Sequence, residues 1–159
     1  MKCECKKYVH LELYREEITE RIKESKLLKR RFEVIAEREV GAQRLFKCPE
    51  CEQYWQSSWA WNWGDKEFLF KVPNIEPDKW LADPYVQPDL LMLYSASIQN
   101  YLAKNTFVEK EAECRAVDCK NRAVQHSVFC FKHHIESLQK ADALPKLPQG
   151  RWFAPYQES

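Results

Sequence analysis

The stretch CRAVDCKNRAVQHSVFCFKHH, residues 114–134, places Cys114, Cys119, Cys130 and His133 within twenty residues. Zinc takes four soft or borderline donors in a tetrahedron. A loop pair, Cys114-x4-Cys119, and a pair at a helix start, Cys130-x2-His133, supply them with little chain. The pattern predicts a zinc knuckle running into a short helix from Phe131 to Ala143. His134 offers the same donor one residue later, and the two-residue spacing after Cys130 favours His133. His126 lies in the intervening loop and is expected to be exposed or satisfied locally.

Outward from this stretch, the remaining cysteines pair as Cys3 with Cys5 and Cys48 with Cys51. Seven cysteines and one histidine make eight ligands, which fill two tetrahedral sites and leave no thiol over. The N-terminus has no apolar signal-peptide stretch, and no apolar run is long enough to span a membrane. A cytoplasmic location is therefore expected. Thiols stay reduced there, so metal is a better use for an odd cysteine count than disulfides.

The 159 residues suit one domain or two small ones sharing a core. Leu11, Tyr14, Ile18 and Ile22 recur at helical spacing and predict an amphipathic helix from Leu11 to Leu28. Phe32, Val34 and Ile35, then Gly41, then Arg44 to Lys47 predict a hairpin that delivers Cys48 and Cys51. Phe68, Phe70 and Val72 alternate as in a half-buried strand. Prolines 73, 77, 84 and 88 mark a connector with a helical turn near Asp78 to Ala82. Pro88-Asp89 starts a helix to about Lys104. Arg151-Trp152-Phe153 suggests a tail that packs. The expected fold is α+β, in two small zinc-stabilised modules. Residues 1–72 form a zinc-ribbon-like module with an inserted helix and a hairpin. Residues 73–159 form a helical module with the Cys3His knuckle and a proline-rich tail.

Cys114, Cys119, Ala123, Phe129-Cys130 and His133 resemble short zinc motifs of the form C-x4-C-x3-A…[FY]-C-x2-H. Such motifs occur in phage and bacterial proteins and beside some plant DNA-binding domains, and the resemblance implies zinc and a knuckle-plus-helix. Cys48-Pro49-Glu50-Cys51 resembles a zinc-ribbon knuckle. Cys3-x-Cys5 departs from the ribbon pattern, with one intervening residue where two are usual. The leading cysteine pair, the segment Cys48 to Trp55 and the terminal knuckle together resemble small bacterial immunity proteins. That resemblance implies stoichiometric neutralisation of a cognate toxin domain. A net charge of +1 departs from the acidic bias of such inhibitors.

Two other classes compete. A nucleic-acid-binding zinc protein would carry a basic surplus, and this chain has 25 basic against 24 acidic residues. Trp59, Trp61 and Trp63 alternate, so in a strand they would share one face. No Lys or Arg lies between Gln53 and Gly64, as a base-stacking platform would want. The stripe is expected to be mostly core, with a partner-binding face as the alternative. A metal-dependent nuclease around Asn121, His126 and His133 would need a histidine freed from zinc. Three glycines leave no phosphate-cradling loop. The sequence thus favours a non-enzymatic protein that binds another protein, with no catalytic residues assigned.

Overall fold

In a computed structural model, residues 3–9 and 14–153 are described. The chain is mixed α and β and forms two compact units. The first comprises residues 1–92 and 148–159, and the second residues 93–147.

The first unit is built on a four-stranded antiparallel sheet in the order β1-β2-β3-β4. Its strands are β1 (Glu33–Arg38), β2 (Gln43–Lys47), β3 (Tyr54–Ala60) and β4 (Lys66–Val72). Phe46, Trp55 and Leu69 sit across from one another or along one face and, with Cys5, Leu28 and Cys48, form one apolar cluster. Leu45, Phe68 and Phe70 enter a second cluster with Trp80, Tyr85, Val86 and Leu91. Helix α1 (Arg15–Leu28) lies along β4, the sheet's outer strand. Ser25 on α1 accepts a hydrogen bond from the Leu69 amide at 3.0 Å, and Thr19 accepts one from the Trp63 indole at 3.0 Å. Ile18 is fully buried, as its helical spacing predicts, while Tyr14 is exposed beside the first turn. The start expected at Leu11 lies outside the described residues.

The proline-punctuated stretch is part of this unit and not a connector between modules. Helix α2 (Pro77–Ala82) and the chain after it are fastened to the sheet by one buried amide. Gln56 accepts from the Trp80 indole at 2.8 Å and the Tyr85 amide at 3.0 Å, and donates to the Tyr85 carbonyl at 2.9 Å. A buried amide with both ends satisfied binds its partners to one geometry, because any shift would strand a polar atom. The tail joins too. Arg151 donates its amide to the Pro84 carbonyl, the Val86 amide donates to Arg151, and Phe153 is buried edge-on to Tyr85. Gly150, at φ 137°, permits this approach, since a Cβ there would meet the Val86 methyl at 2.9 Å. The unit boundary therefore falls within helix α3 (Pro88–Lys104), where the sequence reading put it at residue 72, and the tail belongs with the first unit.

The second unit holds the rest of α3, a two-stranded antiparallel sheet of β5 (Glu109–Glu113) and β6 (Arg122–Val124), and helix α4 (Phe131–Lys140). Its buried apolar residues among those described are Cys114, Ala123, Val124, Cys130 and Leu144. Both larger apolar clusters belong to the first unit. No helix among the described residues is long and apolar enough to cross a membrane.

Candidate metal centres

Each unit brings one cysteine-rich set together, and each can hold a metal ion. In the first unit, Cys3, Cys5, Cys48 and Cys51 converge, with their ligand atoms all within 4.8 Å of one another. Cys48 follows directly on β2, with its amide bonded to the Gln53 carbonyl and its carbonyl accepting from the Glu52 amide. Glu52 takes φ 60°, closing a tight turn that folds Cys51 back beside Cys48. Cys3 and Cys5 arrive from a 3-10 turn, Cys5–Lys7, and the Cys5 amide points at the Cys3 sulfur at 3.3 Å. The Cys3 sulfur is 3.1 Å from that of Cys51 and 3.7 Å from that of Cys48.

In the second unit, Cys114, Cys119, Cys130 and His133 converge in the same way. Cys114 leaves β5 with its amide bonded to the Asn121 carbonyl at 2.9 Å. Cys119 closes a turn onto Ala116, helped by Asp118 at φ 59°. Cys130 is the residue capping the start of α4, and His133 lies in the first turn of that helix. His133 Nδ1 is 3.3 Å from both the Cys114 and Cys130 sulfurs, and the Cys119 and Cys130 sulfurs are 3.8 Å apart. The other ring nitrogen of His133 faces Glu136 at 3.9 Å, beyond hydrogen-bond distance.

These distances can be compared with chemistry. All seven cysteines are free thiols, and no sulfur pair approaches the disulfide length of about 2.05 Å. Zinc–sulfur bonds of about 2.3 Å in a tetrahedron put sulfurs about 3.8 Å apart and a sulfur about 3.6 Å from a histidine nitrogen. The Cys3–Cys48 and Cys119–Cys130 separations of 3.7 and 3.8 Å match those edges, while Cys3–Cys51 at 3.1 Å is shorter. Metal binding also answers two oddities of charge and bonding. The indole nitrogen of Trp55 is buried without a hydrogen-bond partner, yet it lies against the Cys5 sulfur. A thiolate there would accept that N–H. Burial pushes the Cys5 thiol far above its ordinary range, so the thiolate needs a cation. At Cys114 burial pushes up, but the Cys130 and Ala116 amides and the His133 ring outweigh it and bring the thiol down to about 6. A site that favours the thiolate before any ion arrives is poised for a metal.

The eight residues singled out from sequence are the eight brought together, four to a unit. His134 is engaged elsewhere. Its ring nitrogens meet the Tyr101 hydroxyl at 3.0 Å and the Ser127 hydroxyl at 3.1 Å, which leaves His133 to face the sulfurs. His126 is exposed at φ 63°. The tryptophan stripe does not share a strand face. Only Trp59 lies in β3, and Trp61 and Trp63 fall in a 3-10 turn closed by Gly64 at φ 72°. Trp63 packs against the core beneath Arg15, whereas Trp59 and Trp61 are 41% and 60% exposed. The expectation that most of the stripe is core is thus overturned, because the strand ends one residue after Trp59. Sequence reasoning missed the cavity beside Trp59, which draws its charged lining from two successive hairpins, β1–β2 and β3–β4. Comparisons with protein-family models, with curated proteins and with solved structures return no match.

Proposed function

We propose that the two cysteine-rich sets hold structural zinc and that the protein acts by binding another protein stoichiometrically, as an immunity protein neutralises a toxin domain. The N-terminal set, on a tight turn after β2, serves as a zinc-ribbon-like knuckle, and the C-terminal set as a Cys3His knuckle. The observation that carries this reading is ligand closure. Each set supplies four protein donors, which completes a tetrahedron and leaves no position for a substrate or a reactive water. Metals so held serve the fold, and function passes to the surface.

Two further observations favour a protein over a nucleic acid as the partner. Two exposed, neighbouring tryptophans, of which Trp59 lines a cavity with four carboxylates, offer a protein-type anchor. The basic run Lys29-Arg30-Arg31 is largely spoken for, with Lys29 paired to Glu67 and Arg31 3.3 Å from Glu4. Elemental analysis of protein purified without added metal is expected to give about two zinc ions per chain. Co-expression with an adjacent toxin-like gene is expected to give growth protection in step with one-to-one complex formation. Protection at strongly substoichiometric amounts would mark an enzyme. Tight DNA or RNA binding at physiological salt without any protein complex would mark a nucleic-acid binder.

A further inference from the structure

On the protein-binding reading above, we propose that the concave face beside Trp59 docks an arginine- or lysine-bearing segment of the partner. The cavity is about 630 Å³ and opens at the end of the sheet where both long hairpins turn. The β1–β2 hairpin supplies Glu37, Glu39 and Arg44, and the β3–β4 hairpin supplies Trp59, Asp65 and Glu67. Its volume falls in the range of about 300–1,000 Å³ typical of ligand clefts.

The charges select the occupant. Four carboxylates line the cavity against two guanidiniums, Arg38 and Arg44. Both cations have local partners, Arg38 a hydrogen bond to Gln43 at 3.2 Å and Arg44 an ion pair to Glu37 at 3.2 Å. Lys29 engages Glu67. Glu39 and Asp65 have no ionic partner among the described residues, so a cationic visitor would meet two carboxylates with no bond to break. Trp59 offers its ring on the same wall, and Trp61 stands next to it with ring centroids 6.5 Å apart. A guanidinium or ammonium over an indole face gains cation–π attraction, and Trp is the best such face. Carboxylates around an exposed aromatic thus match Arg and Lys and repel phosphate or an acidic peptide.

The backbone holds both rims in place. Ala42 at φ 47° follows Gly41 at φ 77° in one turn, and Asp65 at φ 53° follows Gly64 at φ 72° in the other. Left-handed conformations at non-glycine residues are unfavourable and persist where the surroundings fix them. The acids on these turns are therefore presented in a set geometry.

The test uses the full-length zinc-loaded protein and a fluorescein-labelled decapeptide of alternating arginine and glycine, with the matching glutamate–glycine peptide as control. Anisotropy titrations are expected to show saturable binding of the basic peptide alone, weakened by added salt. Trp59→Ala, and separately the pair Glu39→Gln with Asp65→Asn, should weaken it about tenfold or more with melting unchanged. Val117→Ala, in the other unit, should not alter it. Asparagine tolerates left-handed backbone, so the double variant tests charge even if the tryptophan variant misfolds. Undiminished binding by the double variant, or equal binding of the acidic peptide, overturns the assignment. A dimer of this chain that the same variants dissolve also overturns it, in favour of a second copy as occupant. Growth protection separates the two levels. If the wild type fails to protect while the peptide binds through Trp59, the immunity reading falls and the basic-segment site stands. If wild type and groove variants protect equally, the site falls and the immunity reading stands.

Discussion

Replacing Cys130 by serine should unfold residues 93–147 and leave the four-stranded sheet standing. The expectation follows from what each unit has to hold it. In the second unit, the buried apolar residues other than metal ligands are Ala123, Val124 and Leu144. Their burial contributes on the order of 5 kcal/mol in all. A closed structural zinc site contributes roughly 10–16 kcal/mol at neutral pH. On the zinc reading, the metal would therefore outweigh the apolar core, and losing one of its four ligands should tip the unit over. The first unit keeps the clusters around Trp80, Phe70 and Trp55 whatever happens at Cys130. Serine is a suitable change because it is nearly isosteric and is itself a strong helix cap. Loss of α4 cannot then be blamed on an empty cap. The two units can be read separately, because all six tryptophans lie in the first. Tryptophan fluorescence should melt as in the wild type, while hydrogen exchange at amides 109–140 becomes unprotected and zinc content falls to about one. Retained protection across β5, β6 and α4 would refute the reasoning. So would simultaneous loss of protection in β2, β3 and β4.

Trp55→Phe removes the indole N–H that faces Cys5 and keeps an aromatic ring against Phe32. Donors to ligating atoms are typically worth 10–100-fold in metal affinity. Competition with a chromophoric chelator should thus strip the N-terminal ion about tenfold more readily and the C-terminal ion no more readily than in wild type. Asp89→Asn addresses pH. Asp89 is fully buried at the start of α3 with neither carboxylate oxygen in a close hydrogen bond, and burial raises it from 3.8 to about 6. The folded state then holds the proton more tightly than the unfolded chain. Its contribution is complete below about pH 4 and is lost as pH rises through 6, a change on the order of 3 kcal/mol. Urea melts followed by tryptophan fluorescence should show the wild type losing stability relative to Asp89→Asn between pH 4 and 7. A constant difference would show that Asp89 is not the titrating group.

The helices and the metal sets were legible because their signals are local. Pro88-Asp89 and the spacing of Leu91, Tyr94 and Ile98 mark α3 to its last residue, Lys104. Cys130-x2-His133 marks the start of α4. Zinc-type ligands are recognisable because closely spaced pairs of cysteine and histidine donors are the arrangement a tetrahedral ion takes. What escaped depends on long-range pairing. β5 reads Glu-Lys-Glu-Ala-Glu, with no apolar alternation, and becomes a strand only because Glu109 and Glu113 find β6 across the knuckle. The proline-rich stretch looked like a connector because nothing in residues 73–88 reveals that Gln56, lying in a different strand, will clasp Trp80 and Tyr85. The tryptophan stripe misled because alternation implies a common face only while the strand lasts, and β3 stops at Ala60.

The helix laid along β4 has a consequence for how any partner can attach. The Leu69 amide, which would otherwise be open to another chain, is already given to Ser25. At the opposite border, β1 has a bulge between Val34 and Ala36 and carries Glu33, Glu37 and Arg38 among its six residues. Neither border offers a clean row of amides and carbonyls, so the sheet resists being lengthened by a foreign strand. On the protein-binding reading, a partner would thereby be steered away from backbone zippering, which tolerates many sequences, toward side-chain contacts. Both borders thus work against edge-to-edge stacking of copies of this chain.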